Sequence, residues 1–189
     1  MKITSVRTTP YSLTLSRKLG DANSPLGFDT IDALAVFIDC DQGISGVTIG
    51  SPRSEPMIQS LSQLIMGMDP RSVRGIWQRL VDATFKGGNE GEANGAISSI
   101  DVALWDLKAK LNDEPLWKTL GASSSIVRAY ASGIDMPLSD SELANFYQNL
   151  ASVGVHSGKL KVGLDQQDDL RRLKIMKDAL ETSGKPSEL

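Results

Sequence analysis

The sequence is very poor in the residues that build disulfide frameworks and soft-metal sites. Its 189 residues include one cysteine, Cys40, and one histidine, His156. A single cysteine excludes an internal disulfide and a cysteine-rich metal site, and it fits a reducing compartment, so we expect a cytoplasmic protein. We expect His156 to be structural or exposed, because it precedes the strand predicted at 158–163 at its amino-terminal end, opposite the carboxyl end at which active sites of such strands lie.

Basic charge and long hydrophobic runs are also scarce. The formal net charge is −3, and no cluster of five to eight lysines and arginines occurs, so we expect no nucleic-acid partner. No run approaches the roughly 18 apolar residues of a membrane span, and residues 1–7 become polar too soon for a secretory signal. A hydrophobic content of 40% with 23% charged residues is typical of a soluble globular protein.

The first half of the chain reads as strands followed by helices. Residues 2–15 favour a strand, and alternating apolar residues at 33–49 predict a hairpin around an Asp-Gln-Gly turn. Pro56 and Pro70 mark the starts of two helices, and residues 93–111 carry the apolar stripe of a longer third helix. Strands followed by helices indicate an α+β domain.

A break and a change of pattern come next. The glycines and asparagine at 87–89 are expected to end the second helix. After Gly121 the chain alternates: residues 126–131 predict a strand, and a capping box from Ser139 to Glu142 opens a helix. The alternation of strands and helices predicts parallel strands, whose active sites lie beyond their carboxyl ends.

Residues 158–163 (GKLKVG) predict the second of these strands, and an acidic segment after it opens a helix striped by Leu170 and later apolar residues. The period of two places Lys159 and Lys161 on one face of the strand, and Leu160 and Val162 on the other. In a closed site, each ammonium group disfavours the protonated form of its neighbour, so one lysine can act as a neutral general base. The alternative is an edge strand whose exposed lysines prevent pairing with another chain.

Three motifs in this order resemble the mandelate racemase and muconate lactonizing enzyme group of the enolase superfamily. Residues 96–110 (AISSIDVALWDLKAK) resemble its helical signature, residues 115–121 (PLWKTLG) resemble the segment after that signature in the family, and residues 159–163 (KLKVG) resemble its Lys-x-Lys strand. The resemblance implies an α+β N-terminal capping domain at 1–122, followed by the first units of a (β/α) TIM-like barrel at 123–189.

The resemblance also implies a chemistry. Members of this group bind Mg²⁺ and abstract the proton α to a substrate carboxylate to form an enolate, as in racemases and acid-sugar dehydratases. By motif position, Lys161 resembles the base, and Lys159 resembles the residue that contacts the substrate carboxylate and lowers the pKa of the base. We expect a small carboxylate substrate such as an acid sugar, and a homo-oligomer.

The resemblance further implies that capping loops choose the substrate. Residues 18–29 combine glycine, asparagine and proline with the apolar residues Leu26 and Phe28, and a short turn at 50–53 includes Arg53. We expect these three residues to contact substrate.

The chain also departs from the family pattern. The metal-binding carboxylates and the second base are expected on later barrel strands, so we expect no metal ligand here, and Glu90 and Glu92 are interpreted as helix-start charges. A chain with about two of eight strand-helix units is expected to be incomplete and inactive alone. The alternatives are an inactive structural fragment, or a cycloisomerase or dipeptide epimerase of the same superfamily.

Overall fold

The computed structural model describes residues 1–88 and 90–187. It begins with three strands: β1 (Ile3–Leu19), β2 (Phe28–Cys40) and β3 (Ser45–Gly50). These strands form one sheet in the order β1-β2-β3. β2 and β3 pair in antiparallel register, with Leu34 opposite Gly50 and Asp39 opposite Ser45. The predicted hairpin is therefore confirmed, and β1 is longer than the sequence indicated.

Four helices follow the sheet. They are α1 (Glu55–Ser62), α2 (Val73–Thr84), α3 (Gly91–Leu111) and the short α4 (Leu116–Thr119). Three residues of 3₁₀ helix, Phe85–Gly87, continue from α2. The predicted break at 87–89 begins there, but its last residue, Asn89, lies outside the described residues. The α+β order of the first half is confirmed.

The long helix α3 packs on β3 at a very short distance. Gly46 faces the helix, and a Cβ atom at this position would lie 2.0 Å from the carbonyl oxygen of Ala103. Only a hydrogen at this position allows the two backbones to approach so closely. A hydrogen bond also joins the helix to the strand, because Asp106 of α3 accepts from the Val47 amide of β3 at 2.8 Å. Asp106 is itself paired with Lys110 of the same helix.

Contacts between residues divide the chain into two compact units. The first unit comprises Met1–Leu13 and Asp32–Ser125, and the second comprises Thr14–Ile31 and Ile126–Leu189. The second unit thus includes the loop between β1 and β2 and the strand ends that flank it. The core of the first unit is almost wholly aliphatic, and its largest buried side chains include Leu34, Ile58, Ile76, Ile97, Ile100, Leu104 and Leu107.

The second unit alternates strands and helices. Its elements after residue 125 are β4 (Ala131–Ser132), α5 (Asp140–Ser152), β5 (Gly158–Lys159) and α6 (Gln166–Leu180). β4 and β5 are parallel, as predicted. The predicted capping box is present, since the Ser139 hydroxyl accepts from the Glu142 amide and the Glu142 side chain accepts from the Ser139 amide. The capping domain is thus followed by the first two strand-helix units of a (β/α) barrel.

The strand predicted at 126–131 and the apolar stripe predicted for α6 both differ from the structure. The strand predicted at 126–131 begins only at Ala131, and Ile126 and Val127 are exposed. Their β-branched side chains favour extended backbone, but strand formation depends on a neighbour, and β5 begins opposite Ala131. Leu170 was predicted on the buried stripe of α6, but it is 60% exposed.

The core of the second unit is small and lies between the two parallel strands and the helices α5 and α6. Its buried apolar residues are Ala131, Leu138, Leu143, Tyr147, Leu160, Met176, Ala179 and Leu180. Among the described residues, no helix is both long enough and apolar enough to cross a membrane.

Candidate active site

The two candidate lysines lie at the carboxyl end of β5. Lys159 is the last residue of the strand and is exposed, whereas Lys161 lies two residues further on and is half-buried. Leu160 between them is buried, as the alternation predicts. Because β4 and β5 are parallel, the residues that follow β4 belong to the same edge of the sheet as the lysines.

The prediction that Val162 shares the buried face with Leu160 was wrong. Val162 is 52% exposed, because regular pairing ends at Lys159 and the chain turns at Gly163, whose φ is +115°. Such a φ angle favours glycine. The Gly163 amide donates to Asp169 at 2.8 Å, so the turn is held by the first turn of α6.

Lys159 has an aromatic neighbour. Its Nζ atom lies 5.6 Å from the centre of the Tyr130 ring, within the range of a cation–π contact. Tyr130 directly precedes β4 and is exposed. The contact orients the ammonium group of Lys159 without removing it from solvent.

A buried carboxylate holds the backbone of the lysine segment. Asp135 is 0% exposed and lies just after β4. Its Oδ1 accepts a hydrogen bond from the Lys161 amide at 3.1 Å, and its Oδ2 accepts from the Tyr147 hydroxyl at 2.7 Å. The same hydroxyl lies 3.0 Å from the carbonyl oxygen of Lys159, so one hydroxyl hydrogen serves two acceptors.

Burial of the Tyr147 phenol raises its pKa above the usual value, and the hydrogen bond to Asp135 adds to this shift. The phenol therefore remains protonated and can donate throughout the ordinary pH range. Tyr147 comes from α5, so this helix, the segment after β4 and the end of β5 meet in one hydrogen-bonded cluster.

Arg172 of α6 closes this cluster on the other side. Its guanidinium donates to the carbonyl oxygens of Asp135 at 2.7 Å and Leu138 at 2.8 Å, and lies 3.9 Å from the Asp135 carboxylate. Arg172 is buried, and its Nε is the one buried side-chain nitrogen or oxygen without a partner in the part of the chain that the structure describes. The buried carboxylate thus has a buried cation beside it, as burial of a charge requires.

The loop between β1 and β2 is anchored beside the same carboxylate. The Gly20 amide donates to the Ile134 carbonyl at 2.9 Å, and the Met136 amide donates to the Gly20 carbonyl at 3.1 Å. Ile134 has a φ angle of +47°, which is unusual for a β-branched residue. Because of this bend, the backbone of residues 134 and 136 bonds to Gly20, while the side chain of Asp135 points away from Gly20 and toward the Lys161 amide.

The predicted substrate-binding residues occupy two different units. Leu26 is 84% exposed in the loop, and Phe28 begins β2 and is also exposed, both in the second unit. Arg53 is exposed in a 3₁₀ helix, Pro52–Ser54, of the first unit. The loop itself is shorter than the predicted 18–29, because residues 18, 19, 28 and 29 belong to strands.

Metal ligands are not assembled in the part of the chain that the structure describes. No group of three or more histidine, cysteine, aspartate or glutamate side chains there could hold an ion. Glu90 is the N-cap of α3, and Glu92 lies in its first turn. His156 contacts the Leu180 carbonyl oxygen through Nδ1 at 3.3 Å. These residues do not supply a magnesium site.

No role was assigned to Asp135, Tyr147 or Arg172 from the sequence. A partial signal exists for Asp135, because it is an isolated acidic residue flanked by Ile134 and Met136, three residues after the last residue of β4. No comparable signal marks Arg172, since arginines on amphipathic helices are normally exposed.

Comparison with known proteins supports the resemblance carried by the three motifs. Residues 28–121 match the family model of the mandelate racemase / muconate lactonizing enzyme N-terminal domain. A 3,6-anhydro-alpha-L-galactonate cycloisomerase from Streptomyces coelicolor is 31% identical over 94% of this chain and 51% of its own length. An L-talarate/galactarate dehydratase from Salmonella typhimurium is 38% identical over 65% of this chain and 31% of its own.

Solved structures agree with the sequence comparison. A racemase from Streptomyces coelicolor A3(2) with bound magnesium superimposes with a TM-score of 0.85 and 29% identity, over 94% of this chain and 52% of that one. The chain spans about half the length of the first curated relatives that it matches. The chain belongs to the mandelate racemase and muconate lactonizing enzyme family of the enolase superfamily.

Proposed function

We propose that this chain supplies the capping segment and the first two barrel units of an enzyme that removes the proton α to a substrate carboxylate, forming an enolate. The observation that carries the proposal is the placement of Lys159 and Lys161 at the carboxyl end of one of two parallel strands, in a barrel of this family. Further polypeptide that completes the barrel is part of the proposal, because the relatives are about twice as long.

In this proposal Lys161 is the base and Lys159 is its partner. A neutral Lys161 amine takes the α-proton, and the electron pair of the broken C–H bond passes into the carboxylate to give the enolate. The Lys159 ammonium is a counter-charge for the substrate carboxylate. Half-burial of Lys161 and exposure of Lys159 suit these two roles, since the base needs a less hydrated environment than the counter-charge.

We propose an acid sugar as the substrate class. Support comes from the relatives, whose names include a 3,6-anhydro-alpha-L-galactonate cycloisomerase and an L-talarate/galactarate dehydratase. Polyhydroxy carboxylates present one anionic end and many hydroxyl groups. Leu26 and Phe28 would contact the carbon chain and Arg53 a polar end, so we propose these three as substrate-binding residues.

Magnesium is proposed as the cofactor of the enzyme with a complete barrel. A related racemase structure contains bound magnesium, and a hard divalent cation suits carboxylate ligands and the charge that develops on an enolate. The described residues of this chain hold no such ligand group, so the ligands are assigned to the rest of the barrel. We also propose that the protein is a homo-oligomer. We place it in a reducing compartment such as the cytoplasm, in keeping with the free, buried Cys40.

The decisive experiment replaces the lysines in a version of the protein with a complete barrel and follows exchange of the substrate α-proton with solvent deuterium. We expect Lys161→Ala to reduce exchange by at least about 100-fold, with substrate affinity within about tenfold. Lys161→Arg should not restore exchange, because a guanidinium keeps its proton. Lys159→Ala should weaken carboxylate binding as well as turnover.

Lys174→Ala is the matched control, since Lys174 is an exposed lysine of α6 in the same unit. It should leave exchange unchanged. Near-normal exchange in Lys161→Ala would refute the assignment of the base. Absence of exchange with every acid sugar tested in the otherwise unchanged protein would favour the structural-fragment alternative.

The loop assignment has its own test in the same protein. Leu26→Ser with Phe28→Ser should change the order of kcat/KM across a panel of acid sugars, because both exposed side chains are assigned to substrate. Val153→Ser is the control. Val153 is 75% exposed, close to the 84% of Leu26, but it follows α5 at the amino-terminal side of β5. An unchanged order in the double variant would remove these residues from the site.

A further inference from the structure

We propose that Asp135 is the positioning residue that sets the direction of the Lys161 side chain, with Tyr147 as its second contact. The inference rests on the proposed function for its catalytic meaning, but the contacts themselves belong to this chain. The Asp135 carboxylate is not assigned a contact with substrate or with the side-chain amine of Lys161; it binds the Lys161 backbone amide. It acts through the backbone from which the lysine projects.

The first argument is where the strand pairing stops. The parallel register places Ala131 opposite Gly158 and Ser132 opposite Lys159, and a continued ladder would bring Ile134 opposite Lys161. Ile134 instead has a φ angle of +47°, and its carbonyl accepts from Gly20. At this point the Asp135 carboxylate, and not the backbone of the neighbouring strand, accepts the hydrogen bond from the Lys161 amide, at 3.1 Å. A side chain thus replaces the sheet bond at the residue that bears the candidate base.

The second argument is that the lysine segment is held on both sides of Leu160. The Lys159 carbonyl lies 3.0 Å from the Tyr147 hydroxyl, and the Lys161 amide is bound by Asp135. Tyr147 and Asp135 are themselves joined at 2.7 Å, and both are 0% exposed. With water excluded, each of these bonds is costly to leave unmade. These two bonds restrain the φ and ψ angles of Leu160 and hold the peptide plane from which Lys161 begins. They therefore limit the directions open to the Lys161 Cα–Cβ bond.

The third argument links the same residue to the capping loop. The residues on either side of Asp135 both bond to Gly20. A Cβ atom at Gly20 would lie 2.9 Å from Pro137 Cγ, the residue after Met136, so the chain passes too close to Gly20 for a side chain there. The base of the loop that carries Leu26 and the direction of Lys161 are therefore set by one segment of three residues.

Amide hydrogen exchange in this chain tests the positioning role without any substrate. Asp135→Ala should speed exchange of the Lys161 amide at least about tenfold, while the amide of Leu143 in α5 changes by less than threefold. Asp135→Asn should restore most of the protection, because its Oδ1 still accepts from Lys161 and its Nδ2 can donate to Tyr147. Asp178→Asn, an exposed carboxylate of α6, is the matched control and should change neither amide.

Gly133→Ala gives a second reading if Asp135→Ala does not fold. It leaves Asp135 in place, but the new Cβ would lie 2.8 Å from the Asp135 Oδ2 and must displace the carboxylate. Faster exchange at Lys161 supports the proposal. Unchanged exchange at Lys161 in a folded Asp135→Ala or Gly133→Ala protein overturns it.

A kinetic measurement in the version with a complete barrel tests the catalytic meaning. Asp135→Ala should lower kcat for α-proton exchange at least about tenfold with KM within threefold, because the base is misaligned while the carboxylate contact at Lys159 is kept. Asp135→Asn should recover most of kcat. A full kcat in Asp135→Ala would overturn the proposal, whereas absence of exchange in the unsubstituted protein would refute the proposed function and leave the amide measurement to decide the role of Asp135.

Discussion

Each of the two compact units is stabilised internally by a different kind of contact. The first unit has a large core of aliphatic side chains, with a three-stranded sheet packed on the long helix α3. The second has a small core, a parallel ladder of two residue pairs and a buried cluster of Asp135, Tyr147 and Arg172. Apolar packing positions the backbone of the first unit, whereas hydrogen bonds from side chains to main chain position the candidate active-site segment of the second.

This difference predicts where each unit is most sensitive to substitution. A mainly aliphatic core responds to changes of volume, and a cluster of buried polar groups responds to loss of single hydrogen bonds. Trp77, Trp105 and Trp117 all belong to the first unit, so tryptophan fluorescence reports on that unit alone. Amide exchange in α5 and α6 reports on the second.

The largest effect is expected from Gly46→Ala in the first unit. The added methyl group would lie 2.0 Å from the Ala103 carbonyl oxygen, so β3 or α3 must move. We expect a loss of about 3 kcal/mol or more in the free energy of unfolding, measured by urea titration with tryptophan fluorescence. Gly75→Ala in α2 is the control, since a Cβ there meets nothing within 4 Å, and it should stabilise the unit by about 0.5–1 kcal/mol. Equal effects of both changes would show that β3 does not pack tightly on α3.

The second effect concerns Tyr147→Phe in the second unit. Loss of the hydroxyl removes one hydrogen bond from buried Asp135, and we expect a cost of about 1–3 kcal/mol, read from amide exchange in α5. The pKa of Tyr147 is raised in the folded protein, chiefly by burial, so its stabilising contribution is present below the usual tyrosine pKa of about 10 and is lost as pH rises above it. The difference between the two proteins should therefore shrink in alkaline solution. Tyr130→Phe, at an exposed ring, should have no such effect.

The third effect is the pH-dependent contribution of Asp39 to the stability of the first unit. Asp39 accepts hydrogen bonds from Arg7, Ser5 and Ser45, and the bond from Arg7 is the main reason that its pKa lies well below the usual range. The carboxylate therefore stabilises the fold above about pH 4, and this contribution is lost as the pH falls further. Asp39→Asn should cost about 1 kcal/mol at neutral pH, because Arg7 is half exposed, and progressively less as the pH falls below about 4. A cost independent of pH would contradict the ion pair.

The smallest effect is expected from Leu170→Lys on α6. Leu170 was predicted in the core but is 60% exposed, so the free energy of unfolding should change by less than about 0.5 kcal/mol. Met176→Lys on the same helix is the contrast, since Met176 is buried, and it should cost several times more. Similar losses of stability in both variants would indicate that Leu170 is buried, as the sequence predicted.

The elements that sequence predicted well are those with a local signal. The apolar stripe of α3 and the reciprocal Ser139–Glu142 cap depend on residues within a turn or two of one another, and the structure confirms both. The hairpin of β2 and β3 is equally local.

The parts that sequence could not predict depend on distant partners. Nothing near Asp135 indicates that its carboxylate meets an amide 26 residues later, and nothing near Arg172 indicates that it bonds to carbonyl groups 34 and 37 residues earlier. The strand at 126–131 was wrong for the same reason, since its length is set by β5 and not by its own composition. The roles of Lys159 and Lys161, and those of Leu26, Phe28 and Arg53, remain predictions.

The early end of the ladder between β4 and β5 has a consequence for protein engineering. The direction of Lys161 depends on three residues after a strand and not on the sheet itself, so it can be varied without altering any strand of the barrel. Substitutions at residues 134–136 therefore change the orientation of the lysine without changing a residue of β4 or β5, at a cost in stability where they remove the buried hydrogen bonds of Asp135.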